Sequence, residues 1–243
     1  RLVTGPDAGI TRDSIEIKWN YKNQNFCLID TAGLRRKSKI TKVLEKDMVS
    51  DTLKSIKFSN ICVLLIDAFN NIDKQDLTIA RMIIGEGRGI IIGANKWDKV
   101  INQNIIKNEI INHLGISLSQ IKKIPIVFLS GLHNKGIEKL FDKIIYVKKK
   151  LSNRITTGKL NRWLSTTIEN NPPPLYKGRQ NNIRYITQVN VNPPTFALFM
   201  SSPDDLPNSY KRFLLGSIVK TFNLQGVPIR IMFRKGNNPY IKK

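Results

Sequence analysis

Four short stretches of this chain place polar side chains where a phosphate, a metal ion or a nucleobase could be held. Residues 25 to 39, NFCLIDTAGLRRKSK, run from an apolar segment into Asp30, then a glycine and a burst of positive charge. A buried strand that delivers one carboxylate to its carboxyl end is a common way to build a phosphate or metal site in an α/β sheet. Asp30-Thr31-Ala32-Gly33 has the D-x-x-G form of a segment that senses a terminal phosphate. Asn95-Lys96-Trp97-Asp98 stands 65 residues further on, directly after GIIIGA. An Asp there can accept hydrogen bonds from the ring N–H and exocyclic amine of guanine, whereas adenine offers no matching pair of donors and leaves the carboxylate unpaired. The Lys96 stem can lie over a base plane while its ammonium stays in water, and Asn95 can tie neighbouring loops together. Ser130-Gly131-Leu132 lies 35 residues after Asn95. A backbone N–H there could meet the guanine carbonyl, although an ordinary strand-to-helix turn reads the same way. Thr11, within Gly9-Ile10-Thr11-Arg12-Asp13, offers a hydroxyl that could ligate Mg²⁺ once a terminal phosphate is bound; taken alone it reads more readily as a solvated loop residue.

The elements that must position these groups follow from periodicity. SIEIKW, 14 to 19, alternates Ile15, Ile17 and Trp19 with polar positions, and Lys22-Asn23-Gln24-Asn25 supplies a turn, so an antiparallel hairpin is expected. Residues 45 to 57 have helical spacing, and NICVLLIDA, 60 to 68, reads as a strand buried on both faces of a sheet. Helices are expected over 74 to 85, 102 to 114 and 136 to 150, with strands at GIIIGANKWD and IPIVFLS between them. The last of these helices ends in Lys148-Lys149-Lys150, favourable at a negative helix terminus. Strand-helix alternation implies right-handed crossovers and a mostly parallel sheet whose ligands bind beyond the carboxyl ends of the strands. Asp30, Asn95 and Ser130 stand at three such ends. Near residue 151 the character changes: a helix over 159 to 169, the rigid Pro172-Pro173-Pro174, strands at IRYITQVNV and TFALFM, a helix over 207 to 222 and a strand at VPIRIMF make a small α+β domain. The division expected is 1–150 and 151–243.

Net charge is +22, from 40 Lys and Arg against 18 Asp and Glu. Residues 1–150 hold 26 basic and 15 acidic side chains and residues 151–243 hold 14 and 3, so each part carries +11 and the second is much the denser. Charge of that density points to a polyanion, nucleic acid being the commonest. No apolar run approaches the roughly 18 residues that span a bilayer, so membrane insertion is not expected. Cys27 and Cys62 fall in apolar strands, where a thiol behaves as a small hydrophobe; with no C-x-x-C or His partner, a reducing cytoplasm fits. The chain opens on Arg1 in mid-motif, which reads as a piece of a longer protein.

Read together, GITRD, DTAGLRRKSK, NKWD and SGL, followed by NPPPLYKGR, IRYITQ, NPPTFALF, SYKRF, GVPIRI and NPY, resemble the Der (EngA) family of bacterial ribosome-assembly GTPases. The resemblance implies a P-loop-NTPase-type, mostly parallel sheet flanked by helices, followed by a KH-like domain. The chain would then run from just after the P-loop of the family's second G domain to the carboxyl terminus, with another G domain upstream. It implies a cytoplasmic GTPase that binds GTP or GDP with Mg²⁺, ribosomal RNA and the large ribosomal subunit. By motif, Thr11 would ligate Mg²⁺, Asp30 would hold it through water, and Thr31, Ala32, Gly33 and Leu34 would line the γ-phosphate. Asn95, Lys96, Trp97 and Asp98 would read guanine, with Ser130, Gly131 and Leu132 closing that pocket.

This sequence departs from the family pattern at several points. Leu34 stands where many small GTPases carry the Gln that positions water, so no catalytic base is assigned. Ile10 replaces the first Thr of GTTRD and Gly131 the usual Ala. The 243 residues contain no G-x-x-x-x-G-K-[ST] loop, whose backbone N–H groups and Lys would supply most phosphate affinity, so negligible hydrolysis is expected of the chain alone. No G-x-x-G stands between the helices of the second domain, against a standard KH grip on RNA and against an Era-type protein. Lys177, Arg179, Arg184, Lys211 and Arg212, with Tyr176, Tyr185, Tyr210 and Phe213 beside them, are candidates for RNA backbone contacts; a solvated basic face with the aromatics in the core is the other reading. Two functions stay open: a GTP-driven switch that repositions the KH-like domain on RNA, and a non-catalytic basic scaffold module.

Overall fold

The computed structural model describes residues 15–30, 53–70, 72–175, 178 and 181–236. Thr11, Thr31, Ala32, Gly33 and Leu34, and the basic candidates Lys177 and Arg179, lie outside the described residues; for Ile15 and Asp30 the backbone alone is described.

Strands β1 (Ile15–Tyr21) and β2 (Gln24–Asp30) form the expected antiparallel hairpin, with Ile15 opposite Asp30 and Tyr21 opposite Gln24. Its turn is tighter than the sequence suggested. Lys22 and Asn23 alone turn the chain, both at positive φ (47° and 59°), the two-residue geometry whose twist matches that of paired strands. The hairpin is pinned by aromatic side chains: Trp19 meets Phe141 edge-on at 4.3 Å between centroids, and Tyr21 and Phe26 flank the same ring. Cys27 is exposed, not interior, because its face of the hairpin looks outward.

A parallel sheet of order β3-β4-β5 follows, built from β3 (Ile61–Asp67), β4 (Gly89–Asn95) and β5 (Ile126–Phe128). Helices α1 (Lys74–Gly85) and α2 (Gln103–Ser117) make the two crossovers, and α3 (Ile137–Leu151) follows β5. Ile90, Ile91, Ile92 and Ala94 are fully buried, so β4 is the central strand its unbroken apolar sequence requires. β3 is instead an edge strand among the described residues. It pairs only with β4, and Leu65 is 53% exposed, so the expectation of burial on both faces does not hold there.

After α3 the chain forms α4 (Thr157–Asn170), β6 (Ile183–Asn190), β7 (Thr195–Met200), α5 (Asn208–Thr221) and β8 (Arg230–Lys235). The second sheet has order β6-β7-β8, antiparallel then parallel. Asn161 of α4 clips the helix to β6, its amide donating to the Ile186 carbonyl (2.9 Å) and its oxygen accepting from the Ile186 N–H (3.0 Å). Buried Gln188 fastens the connecting segment: it accepts from Ile155 N–H at 2.7 Å and donates to the Asn153 carbonyl at 3.2 Å.

The two parts meet in one continuous apolar cluster that joins Ile91, Val127, Val147 and Leu151 to Leu160, Phe196, Leu224 and Val227. Polar contacts at this junction touch the segments that precede β4 and β5 and the last turn of α3. The Gly226 N–H donates to the Lys122 carbonyl (2.9 Å), Arg230 Nη2 to the Gly85 carbonyl (2.7 Å) and Lys150 Nζ to the Gln225 carbonyl (2.9 Å). The second domain therefore docks at the amino-terminal pole of the parallel sheet.

Candidate functional site

The opposite pole, where β3, β4 and β5 end, gathers the polar groups. β4 hands over to Asn95, whose side-chain Oδ1 accepts from two backbone N–H groups: that of Lys96 at 2.8 Å and that of Gly131 at 2.9 Å. One side chain thereby holds the loop after β4 against the loop after β5. The first bond also supports Lys96 in a left-handed backbone conformation (φ 61°), which a long side chain rarely adopts without help. Trp97 completes the clamp. Its N–H donates to the Leu129 carbonyl at 3.1 Å and its ring packs on Phe128 of β5 at 4.2 Å between centroids. Trp97–Lys99 then makes one 3₁₀ turn that carries Asp98 outward.

The loop after β5 closes on itself by paired backbone bonds between Ser130 and Lys135. Gly136 ends it at φ +81°; a Cβ there would stand 2.6 Å from the Phe128 carbonyl, so only glycine fits. Inside the loop the buried Ser130 hydroxyl donates to the Asp98 carboxylate and accepts from the His133 N–H at 3.3 Å. His133 Nε2 lies 3.8 Å from Asp98 Oδ2. The Ser130 hydrogen bond, outweighing a smaller desolvation effect, holds the Asp98 carboxyl below the usual carboxylate range, so at neutral pH it is an anionic acceptor. Leu132 is 81% exposed at the rim. Asn95, Trp97, Asp98, Ser130 and Gly131 are thus brought to one place, and the chemistry they offer is that of a carboxylate acceptor framed by backbone amides.

Lys96 differs from expectation. Its ammonium is paired with Asp67 Oδ2 at 2.6 Å rather than merely solvated, although half of the side chain is exposed. Asp67 ends β3 and is buried, and its carboxylate also accepts from the Phe69 N–H and from Asn70 Nδ2, each at 3.0 Å. Burial alone would raise its pKa; the Lys96 contact and the two further donors outweigh that and lower it. Asp67 and His133 were both missed from sequence. Asp67 carried a readable signal, a carboxylate at the carboxyl end of an apolar strand, the same pattern that singled out Asp30.

The described basic candidates of the second domain sit on different elements. Arg184 is exposed on β6 beside a register shift, whereas Lys211 and Arg212 ride on α5. Lys211 Nζ lies 5.4 Å from the Phe233 ring centre and Arg212 is exposed. Tyr210 is a core residue whose hydroxyl donates to the Asn171 carbonyl at 2.6 Å. Among the described residues no cluster of His, Cys, Asp and Glu could hold a metal ion, and no helix is long and apolar enough to cross a membrane.

Residues 1–96 match the family described as 50S ribosome-binding GTPase, and residues 154–234 match the KH-domain-like carboxyl-terminal domain of EngA bacterial GTPase enzymes. The chain is 47% identical to GTPase Der of Rickettsia typhi and 46% identical to that of Rickettsia prowazekii, in each case across 99% of this chain and 55% of the relative. It thus spans about half the length of the curated relatives it matches. Among solved structures, Era bound to MgGDPNP and nucleotides 1506–1542 of 16S ribosomal RNA overlays 96% of this chain and 85% of its own at a TM-score of 0.51 and 16% identity, a likeness of fold. With close relatives running through both of its domains, the chain belongs to the Der (EngA) family of bacterial GTPases.

Proposed function

We propose that this chain forms the guanine-reading part and the RNA-directed domain of a GTP-binding and GTP-hydrolysing protein that acts in assembly of the large ribosomal subunit. The observation that carries the nucleotide reading is Asn95 holding both base-side loops, with Asp98 presented as an ionised acceptor beside Ser130. Asp98 accepts the two donors of guanine, Asn95 fixes the distance between the loops, Lys96 and Trp97 line the base, and Ser130, Gly131 and Leu132 close the pocket. Toward the phosphates, Asp30 and the segment Thr31 to Leu34 would face the γ-phosphate, and Thr11 with Asp30 would hold Mg²⁺, which would shield charge on the phosphate oxygens. The division at 150 separates this G domain from the KH-like domain, whose candidates Lys177, Arg179, Arg184, Lys211 and Arg212 would meet ribosomal RNA in the cytoplasm. Another G domain and a phosphate-binding loop would complete the protein upstream, and the 243 residues alone would hydrolyse GTP negligibly. The non-catalytic basic scaffold is the second reading, and a longer protein with no phosphate-binding loop upstream of these residues would favour it.

The test exchanges the base. An Asp98→Asn side chain offers one acceptor and one donor, which matches the N–H and 2-oxo group of xanthine instead of the two donors of guanine. In the longer protein that includes the upstream segment, D98N is expected to lose GDP affinity by at least an order of magnitude and to gain xanthosine diphosphate affinity. Unchanged GDP binding would remove Asp98 from the base site. Robust GTP turnover by the 243-residue chain would refute its inactivity, and failure of the longer protein to hydrolyse GTP would favour the scaffold.

A further inference from the structure

We propose that the open face of the second sheet is a stacking platform for single-stranded RNA, with Tyr185 and Phe199 taking the bases and Arg184 and Arg234 the phosphates. The inference rests on the RNA-binding reading of this domain but places the contact on a surface different from the helices that carry Lys211 and Arg212.

Strand alternation divides the side chains of this sheet cleanly. Ile186, Leu198 and Phe233 are register partners on the side covered by α4 and α5, and the first two are fully buried. Tyr185, Phe199 and Arg234 are register partners on the other side. Here Tyr185 and Phe199 sit side by side on neighbouring strands, with ring centroids 6.0 Å apart and planes inclined by 44°. Both are only half-buried. An aromatic pair whose sole purpose was the core would belong on the helical side, where the apolar volume of this small domain is concentrated.

The neighbours of these rings bound the platform. Gly236 follows β8 and its backbone packs on one edge of Phe199, where a Cβ would stand 2.6 Å from the ring, so that edge is covered with the least bulk a residue allows. Arg234 is exposed and its guanidinium meets Met232 Sδ at 3.9 Å, a weak acceptor that leaves it able to engage phosphate. Arg184 is exposed where the β6 register shifts, immediately before Tyr185. Arg230, lower on β8, is committed to the Gly85 carbonyl and marks where the face meets the first domain. Adjacent strands lie about 4.8 Å apart, so neighbouring rings can serve consecutive bases of an unpaired strand, whereas a duplex hides its base faces. The occupant is chosen by charge. Residues 151–243 carry 14 basic and 3 acidic side chains, which favours a polyanion over an ordinary protein surface.

The experiment uses the 243-residue chain and a fluorescein-labelled oligouridylate of about ten nucleotides, within the span that one such domain covers. Binding is followed by anisotropy across a salt series, with an RNA duplex of equal length for comparison. Tyr185→Leu and Phe199→Leu are each expected to weaken single-strand binding by roughly 5- to 100-fold with little change in salt dependence. Tyr185→Phe and Phe199→Tyr should keep it, which a merely structural role for ring shape and hydroxyl would not distinguish in the same direction. Arg234→Gln should lower the salt slope by about one unit. Thermal melts verify that the variants remain folded. If both Leu variants bind the single strand as the parent does while Lys211→Glu or Arg212→Glu abolishes binding, the RNA reading survives and the platform is refuted. Preference for the duplex, or a Leu variant that changes self-association instead of RNA affinity, also refutes it. If the parent chain binds neither RNA, the platform and the RNA reading fall together.

Discussion

Replacing Asp67 by Asn tests whether a buried carboxylate at the end of β3 organises the base-side loops. Asp67 accepts three hydrogen bonds, from the Phe69 N–H, Asn70 Nδ2 and the Lys96 ammonium. An Asn keeps the size and one acceptor, so it can still satisfy the Phe69 N–H, but its amide nitrogen then takes the Oδ2 position and faces both Lys96 and Asn70, donor toward donor. A hydrogen bond involving a charged group contributes about 1.5–3 kcal/mol. Lys96 is half exposed and can turn its ammonium to water, so no charge is stranded and the cost should fall near the lower end, about 1–2 kcal/mol. The pH dependence has a definite sign. The folded-state pKa of Asp67 is lowered, so its contribution is fully present above the unfolded value of about 3.9 and is lost as pH falls through the folded value. Urea unfolding of the parent and D67N at a series of pH values should therefore show the full difference at neutral pH and a shrinking difference below about pH 4. A double-mutant cycle with Lys96→Met should return a coupling of about 1 kcal/mol. A difference that persists unchanged into acid, or a coupling indistinguishable from zero, would refute the argument that the ion pair holds this corner.

Other consequences follow from single side chains. Asn95→Ala removes the acceptor shared by the Lys96 and Gly131 amides, so hydrogen exchange at those two amides should accelerate together and nucleotide affinity of the longer protein should fall by about tenfold or more. Gly136→Ala forces a Cβ against the Phe128 carbonyl at positive φ and should cost about 1–3 kcal/mol in chemical denaturation, whereas Gly158→Ala, in α4 with open space around its Cβ, should be neutral or stabilising. Gly226→Ala, at φ +84° with its Cβ 2.9 Å from the Lys123 carbonyl, should destabilise the junction by a similar amount and increase exchange at the Gly226 amide.

What could be read in advance was whatever local pattern decides. The hairpin, the alternation of strands and helices, and the range of α1 follow from hydrophobic spacing and turn residues, and the structure has them in place. The N-K-x-D loop was legible because its residues are contiguous. Asp67 carried the same signal as Asp30, a carboxylate ending an apolar strand, but its partner Lys96 lies 29 residues away and no local pattern names it. His133 reaches Asp98 only because Ser130 and Lys135 close their loop. The expectation that β3 is buried on both faces failed for a complementary reason: a continuous apolar run states how a strand is equipped, not which neighbours are within reach. The junction was least legible of all, because Lys122 and Gly226 are brought together by the packing of two whole domains.

That junction bears on how a nucleotide could influence the second domain. The loops that carry Asn95, Asp98 and Ser130 follow the carboxyl ends of β4 and β5, while the docking contacts involve Gly85, Gly87, Lys122, Lys123 and Pro125, which precede the same two strands, and Lys150 near the end of α3. No docking contact named above touches Asn95, Asp98 or Ser130, so a ligand held by those residues would not compete directly with the second domain. Packing at the junction is that of a core: Val147 and Leu151 of α3 are within 1% of complete burial, and a Cβ on Gly89 would stand 2.8 Å from the Leu151 side chain. Interfaces packed to this density resist gradual deformation. A switch that repositions the second domain against the first would have to expose that apolar cluster, whereas one that moves both together would leave it intact. The contacts therefore favour a rigid pair whose sheet transmits no large rearrangement from one pole to the other, and they shift the burden of any nucleotide-dependent motion to segments beyond this junction.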